Sequence, residues 1–274
     1  MAELEIAFKK FKEVGVFVSE QWLKQIKAEY VYASNRLEGN ALTLLETKTV
    51  IENNLNISGK KIEDVFETLG HYRALNTLLA FVGNKYPLTE KVIKQLNSDL
   101  IGPLFLNTDR YNSYKEIGQI PGEYKVKRNK IIYELDGAAG EIVPLSNEKN
   151  VSENMASLFS TMNNMKGGLI KKAAYLAFQI FYNQPFPDGN KRIARLAVTY
   201  TLMNEGYPLV SFRGLGTNFN EALLRSYVSE DLTPLTEYIS KEYTQQLLQY
   251  AAEYKELGVN RKQPKPGKGL GLVF

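Results

Sequence analysis

The stretch of this chain with the most chemistry in it runs NQPFPDGNKRIARL, residues 183–196, between a strongly apolar run and the start of another helical pattern. Two prolines and a glycine shape a tight loop, and Asp188 and Asn190 are residue types that cap helices. Unpaired N–H groups at the first turn of the next helix then face outward, where they suit an anion. Arg192 and Arg195 are three residues apart and share a helical face, so both can meet the outer phosphates of a nucleotide. Asp188 offers oxygen to a magnesium ion. The same residues also describe a well-capped loop-to-helix junction with two solvated arginines, and spacing alone leaves both readings open.

Other chemistries are excluded by what the chain lacks. It has no cysteine, hence no disulfide framework, thiolate zinc site or cysteine nucleophile, a composition at ease in a reducing cytosol. Its one histidine, His71, rules out a metal site of several imidazoles. Within the helical pattern EDVFETLGHYRALNTL, flanked by Tyr72 and Ala74, His71 reads as a packing or hydrogen-bonding residue. The N-terminus mixes Glu3 and Glu5 into its apolar positions, unlike a signal peptide, and no apolar run approaches the roughly 18 residues of a membrane span. A soluble, cytoplasmic protein without a membrane partner is expected. The net charge of +4 is too small to argue for nucleic acid. The positive charge is partly local, in Lys125, Lys127, Arg128 and Lys130 and in a Pro/Gly-rich tail, RKQPKPGKGLGLVF.

The elements that must position these residues are mostly helices. Apolar residues recur at three and four over about 2–14, 19–36, 61–82, 89–101, 148–164, 168–182, 190–205, 219–227 and 232–256. Trp22, Ile26, Tyr30 and Ala33 form one stripe of the second helix, and Thr43 with Glu46 makes a capping box for a helix after it. Pro87, Pro103, Pro121, Pro144, Pro185, Pro187 and Pro208 fall between these patterns. One segment differs: KIIYELDGAAGEIV, 130–143, flanks a DGAAG turn with β-branched and aromatic residues and is expected to be a hairpin. The fold class is all-α with one small β-hairpin flap. Its parts are N-terminal helices over 1–60, a core over 61–256 and a solvated tail over 257–274.

Gln184–Arg195 resembles the core motif of the Fic (Fic/Doc) family, HPFx(D/E)GN(G/K)RxxR, at every fixed position except the first. Phe186, Asp188, Gly189, Asn190, Arg192 and Arg195 are in place, and Lys191 occupies the variable position, as in the Doc variant. Upstream, SNRLEGNALTLLET, residues 34–47, is similar to the inhibitory motif (S/T)xxxE(G/N) of autoinhibited Fic proteins, matched by Ser34, Glu38 and Gly39. The hairpin lies where the family carries its target-docking flap. This resemblance implies a Fic-type helical bundle that transfers AMP from ATP to a serine, threonine or tyrosine hydroxyl of a target protein. Asp188 would hold Mg2+ against the phosphates. Gly189 and Asn190 would line the anion hole with Lys191 beside them, Arg192 would contact the outer phosphates, and Phe186 would anchor the loop. Glu38 would pair with Arg195 and deny it to the gamma phosphate, a competition of carboxylate and phosphate for one guanidinium. Ile131, Ile132 and Tyr133 would offer a strand edge to the target, with basic residues nearby.

The departure is at the first motif position, where the family's histidine base is Gln184. A glutamine amide donates and accepts hydrogen bonds but takes up no proton near neutral pH, and losing a positioned base typically costs about 10² to 10⁴ in rate. Phosphoryl-type transfer rests mainly on positioning and electrostatics, so weak but non-zero activity is expected. Positions where relatives often show histidine are Asn97 and Ala177 here, the pattern of a diverged lineage. The alternative is a catalytically inactive Fic fold that binds nucleotide or a partner as a regulator. Transfer of another phosphate-containing group is a further possibility, and a homo-oligomer is compatible with the sequence, which does not fix the assembly.

Overall fold

The computed structural model describes residues 2–14, 20–53, 56–214 and 217–258. The tail beyond Gly258 lies outside the described residues. Helices α1 (Ala2–Val14), α2 (Glu20–Arg36), α3 (Leu44–Asn53), α4 (Ile62–Gly83) and α5 (Glu90–Asn107) lead to a 3₁₀ turn (Asp109–Tyr111) and a short α6 (Asn112–Glu116). Strands β1 (Ile131–Leu135) and β2 (Ala138–Ile142) follow, then α7 (Val151–Asn164), α8 (Leu169–Asn183), α9 (Asn190–Met203), α10 (Phe219–Val228) and α11 (Thr233–Gly258). The expected all-α bundle with one hairpin is the architecture observed.

Local chemistry sets several of the starts. Thr43 Oγ1 accepts from the Glu46 N–H at 3.2 Å while Glu46 Oε2 accepts from the Thr43 N–H at 2.7 Å, so the capping box opens α3 as expected. Asn218 caps α10 by accepting from the Glu221 N–H. The centre of the fold is α9: 12 of its 14 residues are buried, and it packs on α8, α4, α5 and α2. Any charged side chain on α9 is therefore desolvated and must find its partners inside the protein.

Two segments depart from the sequence reading. α5 does not stop before Pro103 but continues through it to Asn107. Proline inside a helix costs about 3 kcal/mol, and burying Leu104 and Phe105, at about 1.5–3 kcal/mol each, offsets that. The 3₁₀ turn and α6 over 109–116 had no expected counterpart, because segments this short carry no helical period.

The hairpin turn is only Asp136–Gly137, both left-handed (φ 52° and 79°), rather than the whole DGAAG segment. Ala138, Ala139 and Gly140 belong to β2 and pair with Leu135, Glu134 and Tyr133. A Cβ at Gly140 would lie 2.6 Å from the Tyr133 ring, so the glycine lets that ring lie across β2. Of the three residues expected at the docking edge, Ile132 is exposed and Tyr133 half-buried, but Ile131 is buried with its partner Ile142 and secures the hairpin to the body. Arg225 of α10 forks the turn residue Asp136 at 3.2 and 2.7 Å.

Lys125, one of the locally clustered basic residues, is buried at the hairpin's root. Its ammonium donates to Asn129 Oδ1 (2.8 Å), the Ser146 carbonyl (2.7 Å) and the Asn183 carbonyl (3.1 Å). Its backbone N–H donates to the Pro185 carbonyl at 2.9 Å, and Asn129 Nδ2 donates to the Phe186 carbonyl at 3.0 Å. Both roots of the hairpin are thereby tied to the 183–186 loop. Burial pushes the Lys125 ammonium down from 10.5 to about 8. Because the unfolded chain binds that proton more tightly, Lys125 adds stability as pH rises from about 8 towards 10.5. Urea unfolding from pH 7 to 10 is expected to show wild type gaining on Lys125→Met across that window.

Candidate active site

The loop after α8 is held by its own side chains. Gln184 ends α8 in a left-handed conformation (φ 46°), a cost of order 1 kcal/mol for a non-glycine residue. Its Nε2 donates to the Phe181 carbonyl at 2.7 Å and its Oε1 accepts from Asn190 Nδ2 at 2.9 Å. Both ends of the amide are thus engaged within the protein. Asn190 also donates to the Phe186 carbonyl (2.8 Å) and accepts from the Phe186 N–H (3.0 Å), and Phe186 is buried against Tyr124. Neither Asp188 nor Asn190 caps α9: the N-cap is Gly189, left-handed at φ 81°, and Asn190 already lies within the helix. A Cβ on Gly189 would lie 3.0 Å from both Leu100 and Ile101, so the side-chain-free cap lets the loop sit on α5. With no side-chain cap, the first-turn N–H groups keep the anion-binding character expected of them.

Asp188 stands at the loop's tip in a cage of donors. Its Oδ2 accepts from the Tyr111 hydroxyl at 2.5 Å and from Arg110 Nη2 at 3.1 Å, and its Oδ1 from the Gly189 N–H at 2.5 Å. Asn97 fixes the backbone by donating to the Asp188 carbonyl. Burial would raise the Asp188 carboxyl, but Arg192, the Tyr111 hydroxyl and Arg110 outweigh it and hold it below the usual carboxylate range. A permanent carboxylate suits magnesium, which takes one or two carboxylates and completes its shell with phosphate oxygens and water. Among the described residues no group of three or more His, Cys, Asp or Glu side chains could hold a metal, so such an ion depends on phosphate for its remaining ligands.

Arg192 and Arg195 are not solvated: both are buried. Arg192 lies 3.7 Å from Asp188 and 3.7 Å from Glu67 of α4, and its Nη1 has no hydrogen-bond partner. Arg195 is saturated. Its Nε donates to Ser34 Oγ (2.6 Å), Nη2 to the Ser34 carbonyl (3.0 Å) and to Glu38 Oε1 (2.7 Å), and Nη1 to Asn220 Oδ1 of α10 (2.9 Å). Glu38 reaches it because α2 ends in a Schellman turn. The Gly39 N–H bonds to the Arg36 carbonyl and the Asn40 N–H to the Asn35 carbonyl, with Gly39 at φ 89°. The other Glu38 oxygen lies 2.8 Å from Lys191 Nζ. Burial would raise the Glu38 carboxyl, but Arg195, Lys191 and Arg192 outweigh it and hold it far below the usual range.

Sequence reasoning did not find Glu67, Arg110, Tyr111 or Asn220, which contact site residues 25 or more positions away. No local pattern marks such pairings. His71 is buried, with Nδ1 2.7 Å from Asn35 Oδ1, and burial next to Arg192 and Arg195 pushes its pKa well below the ordinary value. It is neutral at physiological pH. Arg110, Lys191, Arg192 and Arg195 face the carboxylates Glu38, Glu67 and Asp188, so the site already has one more cation than anion and removing Glu38 widens that excess to two.

Likeness to solved structures establishes the fold as that of Fic domains. A Fic domain containing signaling protein from Bacteroides thetaiotaomicron superimposes with a TM-score of 0.77 at 23% identity, covering 95% of this chain and 100% of that one. Fic-1 from C. elegans gives 0.72 at 19% identity, covering 93% and 72%. Residues 87–202 match the Fic/DOC family model, and that segment belongs to the Fic/DOC family. Similar curated proteins include the protein adenylyltransferase Fic of Drosophila virilis, 27% identical over 193 residues (68% of this chain, 35% of the relative). That of Drosophila yakuba is 24% identical over 219 residues (79% and 40%). The chain spans little more than a third of the length of these relatives. No helix among the described residues is long and apolar enough to cross a membrane.

Breaking a buried ion pair by removing one partner costs about 3 kcal/mol or more. Glu38→Gly is therefore expected to lower the unfolding free energy by about 3 kcal/mol. Magnesium with ATP should restore thermal stability in this variant and change the wild type far less, which differential scanning fluorimetry reads directly.

Proposed function

We propose that the loop between α8 and α9 binds ATP with magnesium and that the protein transfers AMP to a hydroxyl of a target protein, under inhibition by Glu38. The observation that carries this reading is the pair of buried guanidiniums on one face of α9. One has a nitrogen without an acceptor, and the other is held by a carboxylate on a separate helix end. Arg192 is preorganised for an acceptor on its free nitrogen, and Arg195 for an anion that takes the place of Glu38. Relatives named as protein adenylyltransferases support the same reaction class.

In this reading Arg192 and the first-turn N–H groups of α9 bind the phosphates, and Asp188 holds magnesium, which neutralises charge on the pyrophosphate leaving group. Arg195 takes the gamma phosphate only after Glu38 withdraws, which fixes the triphosphate in line with the incoming hydroxyl. The target oxygen bonds to the alpha phosphorus, the bond to the bridging oxygen breaks, and pyrophosphate leaves. Gln184 accepts no proton, so the hydroxyl proton passes to solvent and the step is slow. The exposed β1 residue Ile132 is the available docking contact for an extended target segment.

The geometry of Gln184 favours a second reading. Its amide is spent on the Phe181 carbonyl and Asn190, so it acts as a clamp on the loop, which is what a nucleotide-binding regulator without transferase activity needs.

Label transfer from alpha-labelled ATP with magnesium, onto the protein and onto lysate proteins, separates the two. Glu38→Gly is expected to label weakly, and adding Gln184→His is expected to raise the rate by about 10² to 10⁴. Label only after Gln184→His would contradict the transferase and leave a nucleotide-binding protein.

A further inference from the structure

Arg110 lies outside the motif, in the 3₁₀ turn after α5, yet it bridges the two carboxylates that face Arg192. Nη1 donates to Glu67 Oε1 at 2.8 Å and Nη2 to Asp188 Oδ2 at 3.1 Å. We propose, on the basis of the nucleotide-site reading above, that Arg110 is a further phosphate-binding residue, held in reserve on Asp188 and released to the nucleotide when a divalent cation takes that carboxylate.

The donors around Asp188 decide which of them gives way. Oδ2 already accepts from Tyr111 and Arg110, and Oδ1 from the Gly189 N–H with Arg192 nearby. Oδ2 has both acceptor sites taken, so a cation that binds that oxygen has to displace one of its donors. The Gly189 N–H is fixed by the backbone. Tyr111 is 3% exposed, with its ring against Phe105 and Tyr114. Arg192 is as deeply buried. The Arg110 side chain is 44% exposed on a long flexible stem, so it is the donor that moves at least cost.

Glu67 sets how far it moves. This carboxylate is buried, and Asn40 donates to its other oxygen at 3.2 Å, so it stays in place as a pivot. Arg110 keeps its bond to Glu67 through Nη1 and swings only Nη2 away from Asp188. The freed N–H then lies beside Asp188, where the phosphate oxygens that would complete a bound cation's shell come within its reach. Exchange therefore converts a donor that competes with the metal into a guanidinium bound to the metal's own ligand, a charge-assisted contact of the strong kind. The two roles predict opposite shifts when Arg110 is removed: easier access for the metal and weaker hold on the phosphates.

The test uses the full chain with Glu38→Gly as the parent, and follows ATP binding by calorimetry at fixed magnesium and then across a magnesium titration. Adding Arg110→Met is expected to weaken ATP binding about tenfold at saturating magnesium and to lower the magnesium concentration at half-effect several-fold. Arg110→Lys, which keeps the charge but cannot fork, should fall between parent and Arg110→Met on both readouts. It serves as the second variant if Arg110→Met is unstable to heat. A magnesium midpoint that stays or rises, or an ATP affinity that does not fall, overturns the proposal. If the Glu38→Gly parent binds no ATP, the nucleotide-site reading fails first and Arg110 with it. If the parent binds and the Arg110 variants match it, only Arg110's role is lost.

Discussion

The structure depends on one desolvated cation. Arg195 has no access to solvent, and an unpaired guanidinium at that depth would cost several kcal/mol. Its three partners come from two elements: Ser34 and Glu38 at the end of α2, and Asn220 on α10. The C-terminal end of α2 is therefore drawn onto the middle of α9, and the Schellman turn at Gly39 follows from the need to aim Glu38 there. A carboxylate at a helix C-terminus opposes the helix dipole, and the cations of α9 more than offset that. Under the proposed function, stability and restraint are the same interaction. A triphosphate that replaces Glu38 supplies the charge that Arg195 needs, so the exchange does not leave the core unpaired.

A second polar centre joins the hairpin to the motif. The root before β1 bonds to the carbonyls of Asn183 and Phe186 through the Lys125 ammonium and Asn129, and the root after β2 is attached through Ser146 Oγ, which donates to Asn183 Oδ1 at 2.5 Å. A displacement of the hairpin roots is therefore transmitted to the loop that contains Gln184 and Phe186. At its other end the hairpin is fastened by the Arg225 fork to α10, the helix that also contributes Asn220. Hairpin, motif loop and the Glu38 carboxylate consequently share supports, so that under the proposed function occupancy of one bears on the others.

Much of this was legible in the sequence because it is local. The helical period located nearly every long helix, the Thr43–Glu46 box marked the start of α3, and the loop shape and arginine spacing of residues 184–195 raised a phosphate-site reading beside that of a capped junction. The pairing of Glu38 with Arg195 was not legible from spacing; it was available only from the resemblance to Fic proteins. Periodicity gives faces, not partners, so the solvated reading of the two arginines could not be excluded until α9 was seen at the centre of the bundle. The same limit hid Glu67, Arg110 and Asn220, and made Lys125 look like one charge in a basic cluster. Pro103 misled for a different reason: the rule that proline ends a helix is a local energy, and the burial of Leu104 and Phe105 exceeds it.

The most direct test of the competition between Glu38 and the outer phosphates for Arg195 is calorimetric binding of ATP and of AMP to wild type and to Glu38→Gln, with magnesium present. Only ATP carries the phosphate that Arg195 is withheld from. The account predicts an ATP affinity at least about tenfold higher in Glu38→Gln and an AMP affinity that does not change. An equal gain for both nucleotides, or none for ATP, would contradict it.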